Sequence, residues 1–436
     1  MRVCFLTRFF PPKVKGGGEI GAYHVAFALS KQNIHMHVVT VKVEGIRNSI
    51  GNNSTVKKLQ VHRILSNHRS KSFFFKELFY NFLFSIKNAY KLISFLKKNN
   101  VDLIHIFNMD TLLEGILAGK IMNIPVIVYA NSHWTTCFHG NHILPSFRKR
   151  VICHTCTFQN LSKCVMYLYF PPRVPDLLKY FLTPIFLFKI KIRRKLIGFS
   201  DKIISISNCV KKILAENGVP KEKIEVIPDF FNPESYQNIK KDIFKQLIPS
   251  FPNKKKTIIF VGRLKIEKGI ELFIKTAQFL INNGVDATFV IVGGGSLLNS
   301  MQNLVHTLKL NKQVFFTGNL PYKLLPSVYS AADMMVAPII REEALGRVLI
   351  ESMAANSPVI ATKVCGVLDI VIDKVNGLLV RPSIKEISEA IMVLLNDNSL
   401  RTEMGQRGRH YVTNRFSKGI IVPKIIKCYK EISKSQ

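Results

Sequence analysis

Glu343 and Glu351 bracket the run Ala344-Leu345-Gly346-Arg347-Val348-Leu349-Ile350, and the apolar pattern from Gly346 onward is helical. Eight residues at about 1.5 Å rise put the two carboxylates up to roughly 12 Å apart. Acid–base work on a glycosidic bond needs carboxylates about 5 to 9.5 Å apart. The wider span suits two groups holding the ends of one long ligand, with a helix N-terminus and its amides on phosphates between them. A sugar nucleotide has that anatomy. Two solvated helix glutamates would show the same spacing, so spacing alone leaves both readings open.

Two further segments carry similar chemistry. Gly262-Arg263-Leu264-Lys265-Ile266-Glu267-Lys268-Gly269 combines a guanidinium, an ammonium and glycines that allow close backbone approach, which suits a diphosphate and equally a solvated basic turn. Gly293-Gly294-Gly295-Ser296 is a glycine turn of the kind a strand-to-helix connection often needs for steric reasons alone.

All three segments follow apolar runs that read as strands. In the second half these are Thr257 to Val261, Ala287 to Val292, Val314 to Thr317, Asp333 to Ala337 and Pro358 to Ala361, alternating with helical patterns. The first half has the same rhythm, with strands Val3 to Leu6, His35 to Val41, Asp102 to Phe107, Pro125 to Ala130, Lys202 to Ile206 and Ile224 to Ile227. Helices are expected over Glu19 to Lys31 and around Asp110 to Met122. The expected class is α/β, with two doubly wound domains: residues 1–235, residues 250–412, and a closing helical segment 413–436. The polar stretch 233–256, with Pro249, Pro252 and three consecutive lysines, is the expected linker. In open parallel sheets ligands bind beyond the carboxyl ends of the strands, where the three segments lie.

The 436 residues are 47% hydrophobic and 21% charged, which excludes wholesale disorder. A net charge of +34 points to an anionic partner: nucleic acid, lipid or a phosphorylated substrate. Residues 1–197 hold 29 basic and 7 acidic side chains, an excess of +22 that leaves +12 for the remainder. The N-terminal apolar run is too short for a signal-peptide core, and Tyr180 to Phe188 falls far short of a membrane span. Eight cysteines without such a leader suggest a reducing cytoplasm and not a disulfide scaffold.

The ordered set Gly262-Arg263 … Lys268-Gly269, Val292-Gly293-Gly294-Gly295, Phe316-Thr317-Gly318, Pro338 … Glu343-x7-Glu351-Ser352-Met353-Ala354, Pro358 to Thr362 and Asn376 to Val380 resembles the nucleotide-sugar domain of the retaining glycosyltransferases of family 4 over about residues 257–416. The first half resembles the same family more loosely, through Gly16-Gly17-Gly18-Glu19, His133, Ser205-Ile206-Ser207 and Val226-Ile227-Pro228.

The resemblance implies a GT-B fold, two Rossmann-like domains facing a cleft, with a last helix returning to the first domain. It implies a retaining hexosyltransferase that moves a sugar from a nucleotide-sugar donor to a saccharide or lipid-linked acceptor. Arg263 and Lys268 would grip the donor diphosphate, Glu351 the ribose hydroxyls, and Glu343 the transferred sugar or its diphosphate side. Gly17, Gly18, Gly293, Val348 and Leu349 would line the phosphates and sugar, and His133 would approach a sugar hydroxyl. Three positions depart from the family pattern: Leu345 where an aromatic is usual, Asn356 for Gly, and Asp229 for Asn.

The sequence contains no Asp-x-Asp pair, so Arg263, Lys268 and a helix N-terminus are expected to stabilise the leaving group without a required cofactor. Cys137, Cys153, Cys156 and Cys164 could close a structural zinc site or be ordinary buried thiols. Basic aromatic stretches at Lys71 to Lys98 and Lys179 to Lys195 suit an anionic membrane surface and equally core helices with a solvated basic face; the first reading is the expected one and makes this a cytoplasmic protein peripheral to the inner membrane face. A soluble sugar-phosphate or glucan synthase of the same fold is the alternative. A nucleic-acid binder would account for the charge, but no zinc-finger spacing or RNA-recognition motif is present.

Overall fold

The computed structural model describes residues 1–12, 17–42, 59–66, 81–132, 137, 143–144, 151–152, 156–166, 175–237, 239, 242–248, 251–252 and 255–434. They gather into two compact units, Met1–Pro228 with Val422–Gln436, and Asp229–Ile421.

The first unit runs β1 (Arg2–Leu6), α1 (Gly17–Ser30), β2 (His35–Val41), β3 (Leu59–Leu65), α2 (Asn81–Asn99), β4 (Leu103–Ile106), α3 (Leu112–Met122), β5 (Val126–Ala130), the short hairpin β6 (Ile143–Leu144) and β7 (Val151–Ile152), α4 (Phe158–Cys164), α5 (Asp176–Gly198), β8 (Lys202–Ser205), α6 (Asn208–Glu216) and β9 (Ile224–Val226). Seven strands pair in parallel in the order β3-β2-β1-β4-β5-β8-β9. Central strands such as Val3-Cys4-Phe5-Leu6 are buried at every residue, which is why they read as continuous apolar runs. β3 was not foreseen: as an edge strand it carries Gln60, His62 and Arg63 and shows no apolar run.

The second unit runs α7 (Ile243–Leu247), β10 (Lys256–Val261), α8 (Ile270–Asn282), β11 (Ala287–Val292), α9 (Leu298–Thr307), β12 (Val314–Gly318), α10 (Leu325–Ser330), β13 (Met334–Ala337), α11 (Arg347–Ala354), β14 (Val359–Thr362), β15 (Gly377–Val380), α12 (Ile384–Asn396) and α13 (Asn398–Phe416). Its six strands pair in parallel in the order β12-β11-β10-β13-β14-β15, so chain direction through the sheet reverses between β10 and β13. Phe260, Phe273, Phe289, Ile291, Ile387 and Leu394 belong to the core that joins sheet to helices.

The boundary between units differs from the expected one. The chain enters the second unit at Asp229, and the stretch read as a linker contributes Tyr236, Ile243, Phe244 and Ile248 to buried positions. The closing segment 413–436 divides between α13, which ends at Phe416, and α14 (Lys418–Lys434). At the break, Phe231 N–H donates to the Phe416 carbonyl and Lys418 N–H to the Phe231 carbonyl, each at 3.0 Å.

From Val422 onward α14 belongs to the first unit. Its Tyr429 hydroxyl hydrogen-bonds Nδ1 of His105 on β4, and both side chains are fully buried. Burial lowers the His105 pKa to about 3. The unfolded chain therefore binds a proton below about pH 6.5 that the native imidazole refuses. Stability is expected to fall as pH drops from about 6.5 toward about 3, and His105→Asn should flatten that part of a melting-temperature profile. Among the described residues no helix is long and apolar enough to cross a membrane.

Candidate functional site

The second unit brings three loops together at the carboxyl ends of β10, β11 and β13, where the strand order reverses. Gly262 N–H donates to the Val292 carbonyl at 3.0 Å, Leu264 N–H to the Gly294 carbonyl at 3.0 Å, and Gly293 N–H to the Gly318 carbonyl at 2.9 Å. A Cβ on Gly293 would lie 2.0 Å from the Gly262 carbonyl oxygen, so this stitching depends on glycine. Arg263 projects from the first loop, exposed, and pairs with no carboxylate among the described residues.

Lys268 closes a short 3-10 turn, Ile266–Lys268, and is followed by Gly269 at φ 74°. A Cβ at Gly269 would meet the Pro338 carbonyl oxygen at 1.8 Å, and Ile340 N–H donates to the Glu267 carbonyl at 3.1 Å. The β10 loop is thereby pressed onto the β13 loop, and Lys268 Nζ forms an ion pair with Glu343 Oε2. On the far side, Gly366 N–H donates to the Glu343 carbonyl at 2.8 Å and Cys365 N–H to Glu342 Oε2 at 3.2 Å. Gly269→Ala combines a positive φ with a backbone collision. It should cost at least about 2 kcal/mol and, if the unit still folds, weaken donor binding by misplacing Lys268; denaturation midpoints and a donor titration check both.

Gly346, at φ 92°, precedes α11 and supplies no capping side chain, so the first amides of that helix, at Arg347 and Val348, meet no side-chain cap. Val348 is half-buried and Leu349 fully buried. Leu345 is buried too, and Asn356 adopts φ 60°, the left-handed conformation that Asn tolerates.

Glu351 lies in α11, the helix expected from Gly346 onward, and its side chain is turned into the unit. It is only 4% exposed, and it accepts hydrogen bonds from Tyr322 Oη at 3.0 Å and Arg347 Nη2 at 3.3 Å on Oε1, and from Tyr329 Oη at 3.0 Å on Oε2. Arg347 Nη2 also donates to Tyr322 Oη at 3.1 Å, and Arg347 Nη1 lies 4.0 Å from Asp229 Oδ2. Burial disfavours the Arg347 charge, yet Glu351, Tyr322 and Asp229 together hold its pKa above the ordinary range. Burial, and then the Glu351 charge, raise the pKa values of Tyr322 and Tyr329, which stay protonated as donors. Tyr322, Tyr329 and Arg347 were not singled out from sequence. Asp229, which departs from the family's Asn, turns its carboxylate toward this guanidinium.

The structure thus gathers Arg263, Lys268, Gly293, Glu343, Val348, Leu349 and Glu351 within the second unit. Gly17 and Gly18 open α1 in the first unit, and Gly18 is exposed with open space where a Cβ would lie. His133 and Cys153 lie outside the described residues. Cys164 is buried with Leu161, Leu182 and Phe186, and Cys156 packs against the same cluster. Among the described residues, Cys137, Cys156 and Cys164 do not form a group of three ligand atoms within 4.8 Å of one another.

Two family patterns match the chain, "Glycosyltransferase Family 4" over residues 15–235 and "Glycosyl transferases group 1" over residues 241–411. An alpha-D-kanosaminyltransferase of Streptomyces kanamyceticus is 31% identical over 176 residues, 40% of this chain and 45% of that protein. The capsular polysaccharide biosynthesis glycosyltransferase CapM of Staphylococcus aureus is 30% identical over 244 residues, 53% of this chain and 62% of that protein. The chain therefore spans about half the length of the curated relatives it matches. The crystal structure of Anabaena HepE with UDP and glucose superposes with a TM-score of 0.71 over 99% of this chain and 100% of that one, at 18% identity, a likeness of fold. Two Rossmann-like units of this kind make up the GT-B fold. Because the first family pattern covers more than half of its residues, the chain belongs to Glycosyltransferase Family 4.

Proposed function

We propose that the protein transfers a hexosyl group from a nucleoside diphosphate sugar to a saccharide or lipid-linked acceptor with retention of anomeric configuration. It does so in cell-envelope polysaccharide or glycolipid synthesis, as a peripheral protein at the cytoplasmic face of an anionic membrane. The observation that carries the reading is the Lys268–Glu343 ion pair beside the uncapped start of α11.

In this reading Lys268, Arg263 and the first amides of α11 face the donor diphosphate. As the bond between the anomeric carbon and the phosphate oxygen breaks, negative charge grows on the diphosphate, and these groups are already oriented toward it. The acceptor oxygen forms the new bond on the same face, and its proton passes to the departing phosphate. Glu343 orients Lys268 and accepts a hydroxyl of the transferred sugar. Glu351 has about four acceptor positions and three are taken by Tyr322, Tyr329 and Arg347, which leaves one for a ribose hydroxyl. With this cationic set no resident metal is needed, and turnover should survive EDTA. HepE was solved with UDP, and CapM is named for capsular polysaccharide synthesis; both support the donor class and pathway proposed.

The test is a screen of UDP-, GDP- and ADP-sugars for protection against thermal unfolding, since a ligand that binds the native state raises its stability. One donor class should shift the melting temperature and undergo hydrolysis or transfer, and NMR of the product should show the donor's anomeric configuration. A screen in which none binds, or an inverted product, overturns the proposal.

A further inference from the structure

α5 is apolar on two opposite faces. One face carries Leu182, Phe186 and Ile190 into a cluster with Leu161 and Val165 of the α4 region, and Lys179 is buried on this side against Asp176, 2.9 Å away. The opposite face is exposed along its whole length: Leu177, Tyr180, Phe181, Pro184 and Phe188, then Lys191 and Lys195. At about 100° per residue these seven positions fall within an arc of roughly 100°, and at about 1.5 Å rise they form a stripe about 27 Å long. Phe181 is 67% exposed, Phe188 63% and Leu177 69%. Single exposed apolar residues are ordinary, but four aligned large ones with a cationic end are a surface built to be covered.

We propose that this stripe of α5 lies in the headgroup region of an anionic bilayer, Leu177, Phe181 and Phe188 inserted and Lys191 and Lys195 on lipid phosphates. The proposal deepens the membrane part of the reading above and does not depend on the donor chemistry. Charge complementarity selects the occupant. The stripe ends in exposed lysines, and the first 197 residues carry 29 basic against 7 acidic side chains. An apolar stripe running into cations matches the layered chemistry of acyl chain and headgroup. Tyr180, 49% exposed, has the amphipathic ring that settles at such an interface.

Full-length protein would be mixed with vesicles of phosphatidylcholine containing phosphatidylglycerol as the anionic lipid, and with pure phosphatidylcholine vesicles. Expected are partitioning into the anionic vesicles at low salt, at least a tenfold loss for Phe181→Ser/Phe188→Ser, and a comparable loss for Lys191→Glu/Lys195→Glu. All four side chains are exposed, so the variants should melt like the parent and keep its nucleotide-sugar stabilisation, a readout that fails separately if the donor reading is wrong. Three outcomes overturn the proposal: no binding by the parent, equal binding to neutral vesicles, or variants that bind like the parent. Sizing of the parent and Phe181→Ser/Phe188→Ser adds a fourth: a dimer abolished by the substitutions would make the stripe an interface between two copies of the chain.

Discussion

Replacing Lys268 with alanine is expected to lower the turnover number by about 10²- to 10³-fold, the usual consequence of removing one preoriented group from a site of developing charge. The loss should appear in kcat more than in KM, because the ammonium interacts most strongly with the diphosphate as it departs. The fold should be spared. Lys268 and Glu343 are both partly exposed, at 26% and 19% of their side chains, and a screened pair of that kind contributes at most about 1 kcal/mol. Stopped-time assays with the donor found in the screen, beside thermal melts of both proteins, give the measurement. Turnover near the parent value would remove Lys268 from the mechanism, and a collapsed melting temperature would recast it as a structural residue.

Arg347→Met is expected to act in the opposite way, through stability. The side chain is 18% exposed and holds Glu351, Tyr322 and Asp229 at once. Its removal takes the cation from the buried Glu351 carboxylate, a change that costs about 3 to 5 kcal/mol when a buried pair is broken from one side. For a unit of this size the melting temperature should drop on the order of 10 °C. Two companions sharpen the test. Glu351→Gln in the Arg347→Met background should recover part of the loss, since one uncompensated charge is gone. Asp229→Asn alone should cost less than half as much, because its carboxylate lies at 4.0 Å and makes no hydrogen bond to the guanidinium. A melt of Arg347→Met within 2 °C of the parent, roughly 1 kcal/mol or less, would show that water replaces the guanidinium without penalty.

These two predictions divide between what was and was not visible in the sequence. Parallel strands covered on both faces must be apolar throughout, so Val3 to Leu6 and Ala287 to Val292 announce themselves. β3 does not, because an edge strand can present Gln60, His62 and Arg63. Residues 233–256 look like a linker for their prolines and lysines, yet Tyr236, Ile243, Phe244 and Ile248 are the positions that matter, and they are buried. Within the site, Lys268 and Glu343 stand beside glycines whose need is local, and a motif can carry local information. The Arg347 network cannot be read that way: its members Asp229, Tyr322, Tyr329 and Glu351 arrive from separate elements. Burial turns an apparently solvated helix charge into a structural one.

The docking of Tyr429 on His105 has a consequence for how the chain matures. The first unit is discontinuous: residues up to 228 are made first, and the helix that covers β4 arrives only after all of Asp229–Ile421 has been synthesised. At about 5 to 20 residues per second that interval lasts roughly 10 to 40 s. During it the first sheet lacks the cover supplied by Ile425, Cys428 and Tyr429, all buried in the finished protein. The N-terminal unit is synthesised first and completed last, so shortening the final helix should damage the half of the molecule that left the ribosome earliest.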